Sequence, residues 1–134
     1  NLSKGAYVLN PQSPISNLQV ILIATGSEVE IIMKAGEMLE AQGISSRLVS
    51  MPSWELFEAQ SAEYKESVLP STVTARVAIE AGVRLGWDRY IGSRGIFIGL
   101  DRYGASAPYK VVCEKLGLTA EAVTEAAKGL IKNN

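Results

Sequence analysis

The sequence predicts an α/β domain with three layers, α/β/α, around a mainly parallel sheet. Three observations carry this expectation. The chain has 134 residues, and a length near ~150 residues corresponds to one domain. Its 47% hydrophobic and 20% charged residues are close to globular averages, so it can bury a core. Short apolar runs alternate with stretches of helical periodicity, and that alternation places helices on both faces of a parallel sheet. A single domain over residues 1–134 is expected, with an ordered core over about 5–132.

Residues 6–9 read as a short strand, suited to a sheet edge. Residues 18–24 are almost wholly apolar, as expected of a strand covered on both faces. Thr25-Gly26-Ser27 then turns the chain. Ser27 and Glu30 match a capping box, so a helix is expected to start at Ser27. Val29, Ile32, Met33, Gly36 and Leu39 follow helical spacing, and Gly43 suits the left-handed residue that closes such a helix. Residues 44–51 form the next strand, and the intervening crossover should be right-handed. Pro52-Ser53 opens a helical stretch with Trp54, Leu56 and Phe57 as bulk, and Ser61 caps a second short helix that Pro70 stops. Residues 73–79 and 96–100 are two more apolar strands. Residues 83–90 fit either a short helix or irregular turns. Ser106-Ala107-Pro108 has the form of a helix start, so a helix is expected to about residue 116, closed by Gly117 and holding Cys113. Thr119 caps a last helix through about residue 131.

Composition excludes several chemistries. Thirteen Lys+Arg against fourteen Asp+Glu leave a net charge of −1, without the basic excess that a general nucleic-acid binder needs. With no histidine, the chain contains no Ser-His-Asp triad, no Cys-His pair and no His-ligated metal. One cysteine permits no internal disulfide, so a reducing compartment is expected. No run approaches the ~18 apolar residues that span a bilayer, and no membrane partner is expected. The first residues carry neither Met nor the apolar stretch of a signal peptide, which fits a chain cut from a longer polypeptide.

Candidate contact residues come from position. Ser27 lies at a strand-to-helix turn, where free amides can hold an anion or merely close a tight turn. Glu80 ends an apolar strand at the sheet edge where ligands bind in α/β folds, with Arg76 on the same face by strand parity. A carboxylate there can act as an acid or base, or make a structural or interdomain hydrogen bond. Arg84, Arg89, Arg94 and Arg102 cluster with Asp88 and Asp101; such forks suit a phosphate clamp or ion pairs across a protein interface. Arg76, Glu80, Asp101, Arg102 and Ser27 are therefore the candidate interdomain or anion contacts. No catalytic, cofactor-binding or metal-binding residue is assigned.

Several stretches, taken in order, carry a resemblance. They are Gly5-Ala6-Tyr7-Val8-Leu9, Ile23-Ala24-Thr25-Gly26-Ser27-Glu28-Val29 and Leu48-Val49-Ser50-Met51-Pro52-Ser53. Tyr64-Lys65-Glu66-Ser67-Val68-Leu69-Pro70 comes next, then Val73-Thr74-Ala75-Arg76-Val77-Ala78-Ile79-Glu80-Ala81-Gly82 and Tyr103-Gly104-Ala105-Ser106-Ala107-Pro108. Together they resemble the C-terminal domain of transketolases over nearly the whole chain, with Tyr103 where that family often has phenylalanine. The resemblance implies a mixed, mostly parallel sheet of about five strands. It also implies a parent enzyme moving a two-carbon ketol unit between sugar phosphates, in the pentose phosphate pathway or the Calvin cycle. Such a parent uses thiamine diphosphate and a divalent metal, magnesium or calcium, and the protein positions the cofactor that does the carbanion chemistry. The family's Gly-Asp-Gly cofactor motif belongs to preceding domains, and this chain contains no Gly-Asp pair. The implied role here is structural: contact with the thiamine-binding domains and the dimer mate, in the cytoplasm or the plastid stroma. A regulatory small-ligand or nucleotide-binding module is the alternative, as is the equivalent domain of another thiamine enzyme such as dihydroxyacetone synthase.

Overall fold

The computed structural model describes residues 5–9, 18–25, 28–80, 88–91, 95–99, 110–113 and 119–132. The strands are β1 (Tyr7–Val8), β2 (Val20–Ala24), β3 (Ser46–Ser50), β4 (Arg76–Ile79), β5 (Ile96–Gly99) and β6 (Lys110–Cys113). The helices are α1 (Val29–Glu40), α2 (Trp54–Glu58), α3 (Ala62–Val68), α4 (Asp88–Ile91) and α5 (Ala120–Lys132). One sheet runs β1-β3-β2-β4-β5-β6. β3, β2, β4, β5 and β6 are mutually parallel, and β1 alone is antiparallel, on β3. The sheet is therefore mixed and mostly parallel.

Burial explains the order. β2 is Val-Ile-Leu-Ile-Ala with every residue buried, so it can only be a central strand. Its even and odd side chains enter two separate cores. Val20 and Leu22 join Leu48, Val77 and Ile98 beneath Ile32 and Leu39 of α1 and Val123 and Ala127 of α5. Ile21 and Ile23 join Val49, Ala78 and Phe97 against Phe57, Val68 and Leu69, with Tyr90 and Ile91 of α4. Three layers result, with the two long helices on one face and the three short ones on the other.

The helix ends follow local chemistry. The Ser53, Ser61 and Thr119 hydroxyls accept the amides of Leu56 (3.2 Å), Tyr64 (3.1 Å) and Ala122 (3.1 Å), capping α2, α3 and α5. Gly43 takes φ +79° after α1. The Ile44 amide then reaches back to the Leu39 carbonyl (3.0 Å) and the Gly43 amide to the Glu40 carbonyl (2.9 Å), the paired bonds of a left-handed helix end.

One expectation fails. The helix over 106–116 does not form across Lys110–Cys113; that segment is β6, with Ile96 opposite Lys110 and Gly99 opposite Cys113. Consecutive valines and a parallel neighbour in β5 outweigh the Ser-Ala-Pro start signal. Residues 101–109 and 114–118 lie outside the described residues. The expected capping box at Ser27 rests on a residue outside those described, and α1 runs Val29–Glu40. The N-cap is Glu28, in helical geometry and without a side-chain cap bond. Its amide donates to the Thr25 carbonyl (3.2 Å), so a backbone turn leads into the helix. Ser27 lies outside the described residues.

Gly5 anchors the first described segment. It has φ +83°, and a Cβ there would meet Phe57 N at 2.3 Å and Ser53 O at 2.4 Å. Gly43 has nothing within 4 Å of the same position. Gly5→Ala is expected to cost about 2–4 kcal/mol, from left-handed strain plus backbone overlap, and Gly43→Ala only about 1 kcal/mol. Urea denaturation of both variants reads the difference; equal losses would refute the packing assigned to Gly5.

Candidate functional site

The topology singles out one position. β3 lies on one side of β2 and β4 on the other, so successive crossovers diverge between β2 and β4. In open α/β sheets the crevice at the carboxyl ends of such strands is where ligands bind. Ala24 pairs with Ile79 at that end, and the next residues are Thr25 and Glu80. The Thr25 hydroxyl donates to the Glu80 carboxylate at 3.4 Å, and the Glu80 amide donates to the Ile98 carbonyl at 3.1 Å. Glu80 is buried, 8% exposed. Its carboxylate joins β2 to β4 where the sheet's two halves diverge.

Arg76 shares that face but not that end. It opens β4, four residues before Glu80, or about 13 Å at strand rise. Its guanidinium donates to four main-chain carbonyls: Val73 (2.9 Å), Tyr90 (2.5 Å), Leu69 (3.4 Å) and Pro70 (2.8 Å). Burial lowers its pKa from the ordinary arginine value, and the Glu66 charge works in the opposite direction. Arg47 is a buried charged side chain that sequence reasoning missed. It is buried on β3 and donates to the Ser67 carbonyl. Burial lowers its pKa too. Ile21 pairs with Arg47 on one side and Arg76 on the other, so the two guanidiniums flank it in one row. Both reach the end of α3, where helical carbonyls lack partners and the dipole is negative. An arginine inside a strand covered on both faces was the available signal, since it must find acceptors nearby.

Glu66 sits beside this cradle. Its carboxylate accepts the Ser71 amide (2.8 Å) and hydroxyl (3.0 Å). The amide bond, then the hydroxyl bond, lowers its pKa below the ordinary 4.5; desolvation opposes and Arg76 assists. A groove of 390 Å³ lies alongside, lined by residues of α2, α3 and α4 that include Phe57, Glu58, Lys65 and Tyr90. The Tyr90 hydroxyl donates to Glu58 at 2.9 Å, and Lys65 pairs with Glu58 at 3.5 Å.

Of the five candidate residues, the structure places Arg76 and Glu80 at opposite ends of one strand and does not bring them together. Ser27, Asp101 and Arg102 lie outside the described residues, as do the side chains of Arg84, Arg89 and Arg94. Among the described residues no three Cys, Asp or Glu side chains are grouped to hold a metal ion. No helix among them is long and apolar enough to cross a membrane.

Comparison with known proteins fixes the family. Residues 5–119 match the model described as the transketolase-like TK C-terminal domain. The chain belongs to the transketolase C-terminal domain family. It is 57% identical over 130 residues to a chloroplastic transketolase of Craterostigma plantagineum, covering 97% of this chain and 25% of that one. It is 53% identical over 132 residues to a transketolase of Halalkalibacterium halodurans, covering 98% and 20%. The transketolase structure from Leishmania mexicana superposes with a TM-score of 0.78 at 35% identity, covering 98% of this chain and 18% of that one. The chain thus spans a quarter or less of the length of these transketolases.

Arg76→Lys replaces a planar fork by one ammonium and strands several carbonyls. It should cost about 2–3 kcal/mol in urea denaturation, and an unchanged midpoint would refute the cradle. Glu66 has a folded pKa below its unfolded value, so its contribution is complete above about pH 4.5 and is lost as pH falls through the folded value. Glu66→Gln should therefore lower the melting temperature at neutral pH. The gap to the parent sequence should close in acid, and a gap that persists there would contradict the assignment.

Proposed function

We propose that this chain is the C-terminal domain of a thiamine-diphosphate-dependent transketolase that transfers a two-carbon ketol unit from a ketose phosphate to an aldose phosphate. Its own part is structural: it packs against the thiamine-binding domains and supports the dimer. The observation that carries this reading is near-complete coverage of the chain, at more than half identity, by transketolases four to five times its length. The chemistry of the described residues agrees. General acid-base work needs titratable groups whose environments push their pKa values apart around a reacting atom. Here Arg47 and Arg76 are instead spent on main-chain carbonyls, and Glu80 is tied to Thr25. When bound to the parent enzyme, thiamine diphosphate would supply the carbanion chemistry, and no residue of this chain is proposed to hold it.

Glu80, Ser27, Asp101 and Arg102 are proposed as interdomain or anion contacts, and Arg76, whose guanidinium is held by main-chain carbonyls of this domain, only as a contact made through the layer it fixes. The chloroplastic relatives from Craterostigma plantagineum and Spinacia oleracea favour the plastid stroma for a photosynthetic source, and the cytoplasm otherwise. Ketol transfer then serves the Calvin cycle or the pentose phosphate pathway. A coupled ketol-transfer assay with thiamine diphosphate, magnesium and sugar phosphates tests the reading. The complete polypeptide should turn over and residues 1–134 alone should not; turnover by residues 1–134 alone would overturn it.

A further inference from the structure

We infer that the segment Gly5–Leu9 is an edge guard, anchored by α2 and α3, that keeps β3 from pairing with β3 of a second copy of the polypeptide. β3 lies between β1 and the central strand β2. Without β1 its outer row of amides and carbonyls is open, and an open strand edge is a template for another strand. Edges are commonly blunted by an exposed charge, a proline or a bulge. β3 has none of these. Its five residues, Ser46-Arg47-Leu48-Val49-Ser50, are all buried. Its register against β2 runs unbroken from Ser46 to Ser50. Its one charge, Arg47, is turned onto the Ser67 carbonyl of α3. Cover therefore falls to β1, which is only two residues long.

The guard is held mainly from outside the ladder. Tyr7 lies opposite Ser50 and Val8 opposite Val49, and the Leu9 amide donates to the Leu48 carbonyl at 2.7 Å. Pairing this short does not persist alone in water. The Gly5 carbonyl accepts the Ser53 amide at 3.0 Å, and the Ala6 carbonyl accepts the Tyr64 hydroxyl at 2.8 Å. Ala6 is itself fully buried. These anchors decide whether the edge stays closed. The sequence of β3 names what would otherwise occupy it. Paired antiparallel with itself about Leu48, the strand sets Ser46 opposite Ser50 and Arg47 opposite Val49, twice by symmetry. No like charges then face each other, and every side chain keeps its face of the sheet.

Two variants of the complete polypeptide test this. Tyr64→Phe removes one anchor and leaves β1 and β3 intact. Amide exchange over residues 5–9 should rise about fivefold, the effect of one lost hydrogen bond, with exchange in α5 unchanged. Leu9→Pro removes the donor to Leu48. It should add a concentration-dependent association in sedimentation, beyond the mass of the unmodified polypeptide, with cross-links between copies mapping to residues 46–50. Unchanged exchange over residues 5–9 in Tyr64→Phe overturns the inference. So does a folded Leu9→Pro variant that does not associate, or that associates through other residues. If Leu9→Pro does not fold, prolonged cross-linking of concentrated Tyr64→Phe takes its place, because trapping accumulates a minor open form. Cross-links at residues 46–50 then support the guard, and their absence overturns it.

Discussion

The free carbonyls at the end of α3 are the constraint on which this domain turns. A helix of seven residues leaves more than half of its carbonyls without internal partners, and here that end lies against the sheet rather than in water. Arg47 meets Ser67, and Arg76 meets Leu69 and Pro70, so two cations from the strands on either side of β2 close a helix end whose dipole is negative. Arg76 also takes the Tyr90 carbonyl, which brings α4 to the same anchor. Three short helices, each marginal alone, are in this way fixed to a rigid sheet. The aromatic edge-to-face contacts of Tyr90 with Trp54 (5.3 Å) and Phe57 (6.0 Å) extend the same anchor to α2.

This arrangement leaves the two ends of the sheet with different work. The amino ends of β3 and β4 carry the guanidinium row that secures a helical layer. The carboxyl ends of β2 and β4 carry the Thr25–Glu80 bond at the point where the crossovers diverge. A buried carboxylate is costly unless it accepts hydrogen bonds, and Glu80 accepts one from the neighbouring strand end. It therefore acts as a fixed acceptor between strand ends. The charge of Arg47, Arg76 and Glu80 is thus turned inward, on main chain and a neighbouring strand end.

Much of this was legible in the residues. The all-apolar β2 had to be central, Gly43 had to end α1, and Ser53, Ser61 and Thr119 had to begin helices, because each signal is local and unopposed. The signals that misled were also local, but tertiary pairing overrode them. Val111-Val112 could satisfy its backbone beside β5, so a sixth strand stands where a helix start was written. The Glu28 amide bonds the Thr25 carbonyl as the chain enters α1, and the capping pattern at Ser27 lies outside the described residues. Strand parity correctly put Arg76 and Glu80 on one face but says nothing about distance along the strand. Arg47 escaped notice because its acceptor is far in sequence and belongs to another element.

The antiparallel β1 gives the last step. A two-residue strand contributes little pairing by itself, yet it carries the segment that runs from Gly5, locked on α2, to the sheet edge at β3. Tyr64 holds that segment through the Ala6 carbonyl, and burial raises the Tyr64 pKa, so its phenol remains the donor at neutral pH. The entering chain is thus clamped by the same short-helix layer that the arginine row fixes to the sheet.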